Sequence, residues 1–231
     1  MGVEDCRGFR NAGTGGVMSE RETATRLLEV AGTTYAAQAG IVLRDQPAPL
    51  YRLLVLSVLL STRIKADIAV AACRELAEFG TAERMLAAGW QQRVDALGRG
   101  HYVRYDESTA TALGEGAELL RTKYGGDLRR LRRQADGDVR ELRAGLREFP
   151  RLGPVGAEIF CREAQEVWPE LRPYFDKKAL TGAGRVGLPT EAARLAELVD
   201  DSQLARLAAA CVRVTLEKGV VERVTEPSPT G

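Results

Sequence analysis

The sequence predicts an all-α protein. Apolar residues recur every three or four positions through almost the whole chain, which is the spacing of one helix face. Gly and Pro clusters separate these segments, and Ser, Thr or Asp precedes several of them, as expected for helix ends and helix starts. The strand pattern, an alternation of apolar and polar residues, occurs only at Val220–Val224 and is short. We therefore expect helices throughout.

The first half of the chain predicts a central helix with shorter helices around it. Ser19 is expected to cap a helix that runs to about Ala39, and Pro47 and Pro49 break the chain after it. Residues 50–60 are apolar on every side, which predicts a helix at the centre of a bundle. Three further helices are expected at 66–79, 82–88 and 91–97.

The second half predicts longer helices separated by glycines. Asp106 is expected to cap a helix that reaches Lys123, and Gly125 and Gly126 end it. A tight Gly-Pro-Val-Gly loop is expected at 153–156. Helices are expected at 139–149, 158–167, 177–186, 190–199 and 202–216.

Composition places the chain among ordinary globular proteins. Of its 231 residues, 45% are hydrophobic and 28% are charged, and both values are typical of that class. No apolar run approaches the ~20 residues that a bilayer-spanning helix needs, and no secretion signal precedes the first helix. We expect a cytoplasmic monomer without membrane contact. Residues 1–17 are expected to form a disordered leader, and residues 227–231 a polar tail.

The cysteines and the single histidine argue against a metal site. No two cysteines have C-x-x-C spacing, a scatter that favours buried thiols over a disulfide framework or a zinc site. His101 is the one histidine, so a His-rich metal centre is excluded. The cysteines are Cys6, Cys73, Cys161 and Cys211.

Charge is unevenly distributed, although the formal net charge is only +1. Ten basic and five acidic residues lie between Arg121 and Gly153, which leaves this segment at 10 − 5 = +5. Such a run is typical of a solvated helix face, and equally of a surface that contacts phosphates. The basic residues are Arg121, Lys123, Arg129, Arg130, Arg132, Arg133, Arg140, Arg143, Arg147 and Arg151.

A Gly/Pro loop between two helices follows the basic segment. It lies within Phe149–Glu158 and contains Gly153 and Gly156. Backbone N–H groups of such a loop, and of the first turn of the helix after it, point outward and suit a phosphate oxygen. Glycines without a side chain would allow the phosphate to approach closely. Taken alone, the same pattern favours a plain turn between helices.

Asp176 adds a second, spaced signal. It follows Pro173-Tyr174-Phe175, lies 20 residues after Gly156 (176 − 156), and precedes Arg185-Val186-Gly187-Leu188-Pro189. This combination resembles the endonuclease III family of DNA glycosylases, the HhH-GPD superfamily. Upstream, residues 59–63 and 97–102 are also similar to family segments, L-L-S-x-Q and I-G-x-Y.

The resemblance implies a two-lobed helical fold with a DNA-binding cleft between the lobes. The chain would form a single unit at 18–226. A six-helix lobe at about 44–172 would carry the hairpin, and a second lobe would combine 18–43 with 173–220. The implied partner is double-stranded DNA that contains a damaged or modified base.

Two departures from the family pattern limit the implied chemistry. Glu158 stands where bifunctional members carry a lysine, and a carboxylate cannot form the Schiff base that cuts the DNA strand. Lys177 and Lys178 are expected to point away from Asp176, by about 100° and 200° along a helix. The family's four-cysteine iron–sulfur cluster has no counterpart, because only Cys211 follows Leu188. We expect no cofactor.

The resemblance assigns candidate roles, each with an ordinary alternative. Asp176 would oppose the positive charge on the deoxyribose and orient water, or it is only a helix N-cap. Glu158 would be a second catalytic carboxylate, or a solvent-facing residue in the first turn of a helix. The expected DNA contacts are Gly153, Val155, Gly156, Arg63, Lys65, His101, Tyr102 and Arg151.

Some of these contacts also have plainer interpretations. Arg63 is equally a surface arginine, and a lone loop histidine such as His101 is usually just exposed. Trp90 and Trp168 are assigned to packing.

Three functions remain open from the sequence. The first is a monofunctional DNA glycosylase, which hydrolyses the N-glycosidic bond of a base flipped out of the duplex. The second is a catalytically silent helix-hairpin-helix protein that binds DNA or recognises lesions. The third is a structural or partner-binding helical protein whose arginine-rich face is only solvated.

Overall fold

The computed structural model of the protein describes residues 18–226, and the expected leader and tail lie outside that range. Within it the chain forms α-helices and three short 3₁₀ turns but no strand, so the all-α prediction is confirmed. The helices are α1 (Glu20–Ala31), α2 (Tyr35–Gln38), α3 (Pro47–Leu60), α4 (Ala66–Glu75), α5 (Ala82–Ala87), α6 (Trp90–Arg99), α7 (Asp106–Tyr124), α8 (Leu128–Ala135), α9 (Val139–Leu146), α10 (Gly153–Ala164), α11 (Lys177–Arg185), α12 (Ala192–Ala196), α13 (Leu204–Leu216) and α14 (Val220–Thr225).

Several expectations about individual elements were wrong. The weak strand at Val220–Val224 belongs to a helix, α14. The first helix ends at Ala31 instead of Ala39, because Gly32 closes it and Thr34 caps a separate short helix, α2. The 44–172 segment contains the eight α-helices from α3 to α10, where the resemblance implied six.

The first lobe is built around α3, which is buried along nearly its whole length. This helix packs against α4, α8 and α10, while α7 packs against α5 and α6. An apolar helix surrounded on all sides maximises the apolar area removed from water and so forms the centre of the lobe. No helix within residues 18–226 is both long and apolar enough to span a membrane.

The second lobe joins the two ends of the described chain. Here α1 packs against α13 and α14, and α11 packs closely along α13. Gly182 makes that approach possible, because a Cβ at this position would collide with the backbone carbonyl of Cys211 on α13. The lobes meet where α10 contacts α13.

The thiols among residues 18–226 are buried and unpaired. Cys73 lies in the first lobe, Cys161 on α10 and Cys211 on α13. Burial raises the pKa of each of these thiols to about 12. They therefore behave as small apolar core residues and not as nucleophiles at neutral pH.

Candidate functional site: a cleft between the lobes

A cleft of about 1030 Å³ lies between the two lobes. One wall comes from the first lobe, with residues from the end of α3, the start of α4, and α10. The opposite wall comes from α11 and α13, and Tyr35 of α2 adds to the lining. Both carboxylates that the sequence singled out, Asp176 and Glu158, lie in this cleft.

Asp176 is held rigidly where α11 begins. Its Oδ1 accepts the N–H of Ala179 at 2.8 Å, so the N-cap interpretation is realised. Its Oδ2 forms an ion pair with the guanidinium of Arg162 on α10, and the two side chains are only 5% and 4% exposed. Sequence reasoning missed Arg162, which lies one helical turn beyond Glu158 and therefore on the same face of α10.

Glu158 also has an arginine partner. Its Oε1 accepts a hydrogen bond from Nη2 of Arg143 on α9 at 2.8 Å, and each side chain is about one-third exposed. This pair joins the two helices of the hairpin. The two carboxylates therefore face one cleft from different depths, Asp176 buried and Glu158 within reach of solvent.

Lys177 and Lys178 line the same cleft as Asp176, and both are exposed whereas Asp176 is buried. Asp176 is a cap residue whose side chain turns back onto the first turn of the helix. Lys65 and Arg185 also line the cleft. Within the described part of the chain, none of these four exposed cations has a carboxylate within salt-bridge distance.

The hairpin connects α9 to α10, and its turn is shorter than expected. Residues 153–156 form the first turn of α10 and not a loop, so the loop prediction was wrong. Val155 is 54% exposed and lines the cleft. Between residues 18 and 226, neither the Gly153 nor the Val155 amide finds a protein acceptor. These donors suit an anion at the start of the helix.

The two hairpin glycines are required for different reasons. Gly153 has φ +57°, a left-handed conformation that side chains disfavour, and nothing lies within 4 Å of an added Cβ. Gly156 is buried, and an added Cβ would meet Leu152 Cδ1 at 2.8 Å and Ser61 Cβ at 3.3 Å. The structure therefore explains Gly156 by packing against Leu152 of the hairpin and Ser61 at the end of α3, and its predicted contact with DNA stays a prediction.

Arg151 sits in the turn with φ +62°. Its Nη1 donates to Ser108 Oγ at 2.7 Å, and its guanidinium lies 5.5 Å from the ring centroid of Tyr105. Its carbonyl accepts a hydrogen bond from Ser61 Oγ at 3.0 Å. These contacts tie the turn of the hairpin to the end of α3 and the start of α7.

The remaining predicted DNA contacts are dispersed. Lys65, the N-cap residue of α4, lines the cleft, while Arg63 is exposed outside its lining. His101 is exposed with φ +61°. Tyr102 is fully buried, and its hydroxyl pairs with Thr62 Oγ1 at 2.8 Å, so in this structure it packs in the interior and faces no groove.

The two tryptophans differ in burial. Trp168 is fully buried, as expected, and its Nε1 donates to Asp45 Oδ1 at 3.0 Å. Trp90 is 42% exposed and donates to Thr111, so its assignment to packing was only partly right.

The arginine-rich segment is largely neutralised by nearby acids. Six of its ten basic residues form ion pairs within the described residues, which weakens the case for a phosphate surface there. The paired residues are Arg121, Lys123, Arg129, Arg132, Arg140 and Arg143. Between residues 18 and 226, no group of three or more His, Cys, Asp or Glu side chains is placed to hold a metal ion.

Comparison with known proteins gives a distant structural likeness. No family model matches the sequence, and no curated protein does. Two solved structures are similar: a trapped endonuclease III–DNA covalent intermediate, described as an estranged-adenine complex, and a non-covalent endonuclease III–DNA complex. The identities are 13% and 14%; each similarity covers 85% of this chain and 86% of the other, with a TM-score of 0.48. Similarity at this level says nothing about activity or ligand.

Proposed function

We propose that the protein is a monofunctional DNA glycosylase that binds duplex DNA across the cleft and hydrolyses the N-glycosidic bond of an extruded base. One observation carries the proposal: a buried carboxylate, Asp176, lies in a cleft whose four exposed cations, Lys65, Lys177, Lys178 and Arg185, have no carboxylate partner within residues 18–226. Lys177 and Lys178 add to it. Positive charge in the first turn of a helix opposes the helix dipole, so two lysines there lower stability unless an anion binds beside them.

The proposed reaction breaks the C1′–N bond of one nucleotide. The base leaves with the bonding electron pair, and the Asp176 carboxylate opposes the positive charge that develops on the sugar. The oxygen of a water molecule then bonds to C1′. One proton of that water passes to a carboxylate and onward to the base, so the products are a free base and an intact abasic site.

Glu158 is assigned to the water. Its carboxylate lines the cleft, where it would accept the proton of the attacking water and pass it on to the base. Its partial exposure keeps it in reach of solvent. With no lysine at this position, the chain lacks the hairpin amine that would attack C1′ and cut the strand.

The test is base release from a panel of duplexes, each with one damaged or modified base. Asp176→Asn should lower the rate about 10²–10³-fold, because the neutral amide keeps the shape but loses the charge. Asp67→Asn, the same chemical change at an exposed residue of the same cleft, should leave the rate unchanged. Full activity in Asp176→Asn, with the fold shown intact by circular dichroism, rejects the mechanism.

Borohydride trapping tests the absence of strand cutting. Wild-type protein should give no trapped protein–DNA adduct, and its abasic sites should break only on later alkali treatment. An adduct that disappears in the Lys177→Met/Lys178→Met double variant would show instead that a cleft lysine acts as the nucleophile.

The Arg162–Asp176 ion pair favours a second candidate, a silent DNA-binding or lesion-recognition protein. A guanidinium held against Asp176 opposes the positive charge that the carboxylate is proposed to stabilise. Salt-dependent DNA binding without release of any base from the panel supports this candidate over the glycosylase. The absence of DNA binding leaves only the structural or partner-binding interpretation.

A further inference from the structure

Unpartnered buried polar atoms gather where α2, α10 and α13 meet. In residues 18–226, eight buried side-chain atoms lack a hydrogen-bond partner, and four of the eight belong to this one cluster. A buried polar group without a partner is unfavourable, so several together indicate a place where a partner binds. The four atoms are Tyr35 Oη, Arg162 Nε, Glu163 Oε1 and Arg213 Nε.

Tyr35 is held in place by its neighbours while its hydroxyl is left free. The Glu163 carboxylate accepts the N–H of Ala36 at 2.9 Å, which fixes the helical turn that carries the tyrosine. The Arg213 guanidinium lies 4.4 Å from the centroid of the Tyr35 ring and donates to the carbonyl of Thr33 at 3.0 Å. Such preorganisation lowers the entropic cost of binding a partner at the hydroxyl.

Tyr35 and Arg162 both line the cleft, and both offer hydrogen-bond donors. The Arg162 Nε–H can only donate. Burial raises the pKa of Tyr35, so its hydroxyl keeps its proton and remains a donor at neutral pH. Ile159 and Val212 add apolar surface to the same cleft. This combination suits a flat, largely apolar ring with an acceptor oxygen on its edge.

We propose that Tyr35 and Arg162 form a subsite for extruded bases that carry a carbonyl oxygen on the edge away from the sugar. The subsite rests on the proposed function, since the base must enter this cleft. A base with an amino group at the same place would face the donors of Tyr35 and Arg162 with another donor. No hydrogen bond could then form between the base and either residue. Such a mismatch is the strongest basis for rejecting a close analogue.

The experiment compares bases that exchange the carbonyl oxygen for an amino group. Binding of uracil is compared with binding of cytosine, and binding of hypoxanthine with binding of adenine. Each base is placed opposite a tetrahydrofuran abasic analogue, so that no base pair must open. The target nucleotides carry 2′-fluorine, which slows glycosidic cleavage, so equilibrium binding is measured. We expect each carbonyl base to bind about five- to tenfold more tightly than its amino partner, the worth of about one hydrogen bond.

In Tyr35→Phe, the ratio of the affinity for each carbonyl base to the affinity for its amino partner should be close to one. The affinity for a fully paired duplex should be unchanged. Tyr51→Phe is the matched control, because Tyr51 is equally buried and its hydroxyl is also unpartnered, but it packs between α3 and α7, away from the cleft. Removing an unpartnered hydroxyl should not destabilise either variant, and thermal unfolding checks this.

Arg162→Lys provides a second, independent arm. It keeps the positive charge beside Asp176 but removes the Nε–H, so it should also reduce the ratios. Ratios near one in wild type, or ratios unchanged in both Tyr35→Phe and Arg162→Lys, overturn the subsite while DNA binding still stands. Failure of every duplex to bind overturns the proposed function and the subsite together.

Discussion

The arginine-rich segment and the cleft carry positive charge in different ways. The segment at 121–153 has ten basic residues, but most of them have a carboxylate partner close by. The cleft has fewer cations, and Lys65, Lys177, Lys178 and Arg185 have no such partner within residues 18–226. The number of positive charges is therefore a poor guide to an anion site. A better guide is whether those charges lack a carboxylate partner.

The difference has a local cause. In the arginine-rich segment, Asp127 and Asp138 cap helices α8 and α9, and each pairs with an arginine two positions on. The first turn of α11 contains no acidic residue, and Asp176 is already occupied by Arg162. Acids that cap helices thus pair with two of the six paired basic residues in the segment, whereas the acid that caps α11 pairs with Arg162 and with neither lysine.

The largest expected effect comes from the buried pair. Arg162→Met would leave the Asp176 carboxylate buried without its counter-charge, so we expect the free energy of unfolding to fall by about 3–5 kcal/mol. Lys123→Met breaks the surface pair with Glu148 in the arginine-rich segment, where solvent screens the charges, and should change little. Urea unfolding of both variants checks this, and equal losses would contradict the distinction.

The salt dependence of DNA binding should separate the two regions next. Lys177→Ala/Lys178→Ala should reduce the slope of log affinity against log salt by about 1.8, which is about 0.9 for each phosphate contact. Arg121→Ala/Lys123→Ala removes the same charge from paired residues and should leave the slope unchanged. An equal reduction of the slope in both double variants would contradict this prediction.

Two glycines give a finer comparison. Gly153 in the hairpin and Gly137 after α8 both have positive φ, and neither has an atom within 4 Å of an added Cβ. Alanine at either position should cost about 1–2 kcal/mol of stability, because the left-handed conformation is strained for a side chain. Only Gly153→Ala should also weaken DNA binding, since it disturbs the free amides of α10. Loss of DNA binding in Gly137→Ala as well would contradict the assignment of the phosphate contacts to the start of α10.

The smallest effect concerns pH. Burial raises the pKa of Glu163 above its ordinary value of 4.5, because the charged form is poorly solvated. The folded state therefore binds the proton of Glu163 more tightly than the unfolded state does. The stability gained from this tighter binding is fully present below pH 4.5 and is lost as pH rises through the folded-state pKa. Wild type should therefore lose stability relative to Glu163→Gln as pH rises from about 4 to about 8. The measurement is the free energy of unfolding of both proteins across this range.

Local signals in the sequence predicted much of the fold. The helix starts at Ser19 and Thr81 follow from capping side chains that interact within one turn, so no distant contact is needed. Helix α8 was missed because four arginines surround its buried residues Leu128 and Leu131, and their charge obscured the apolar spacing. Periodicity is a weak guide where long charged side chains cover a short apolar face.

The site was harder to predict, because its contacts join distant parts of the chain. The spacing after the hairpin identified Asp176, but nothing near Arg162 indicates that the start of α11 covers it. Tyr35 was hidden inside the expected 19–39 helix, and only the break at Gly32 turns it towards α10 and α13. Helical-wheel angles also gave no sign that Lys177 and Lys178 would line the same cleft as Asp176.

The backbone contact between Gly182 and Cys211 has a consequence for how the cleft meets a ligand. A helix pressed against its neighbour without an intervening side chain has no room to roll, so the wall carrying the two lysines keeps its position. We therefore expect the opening to keep its width when a ligand binds, so that a molecule too large for it is excluded. A larger residue at position 182 would force α11 away from α13 and so displace the lysines that line the cleft.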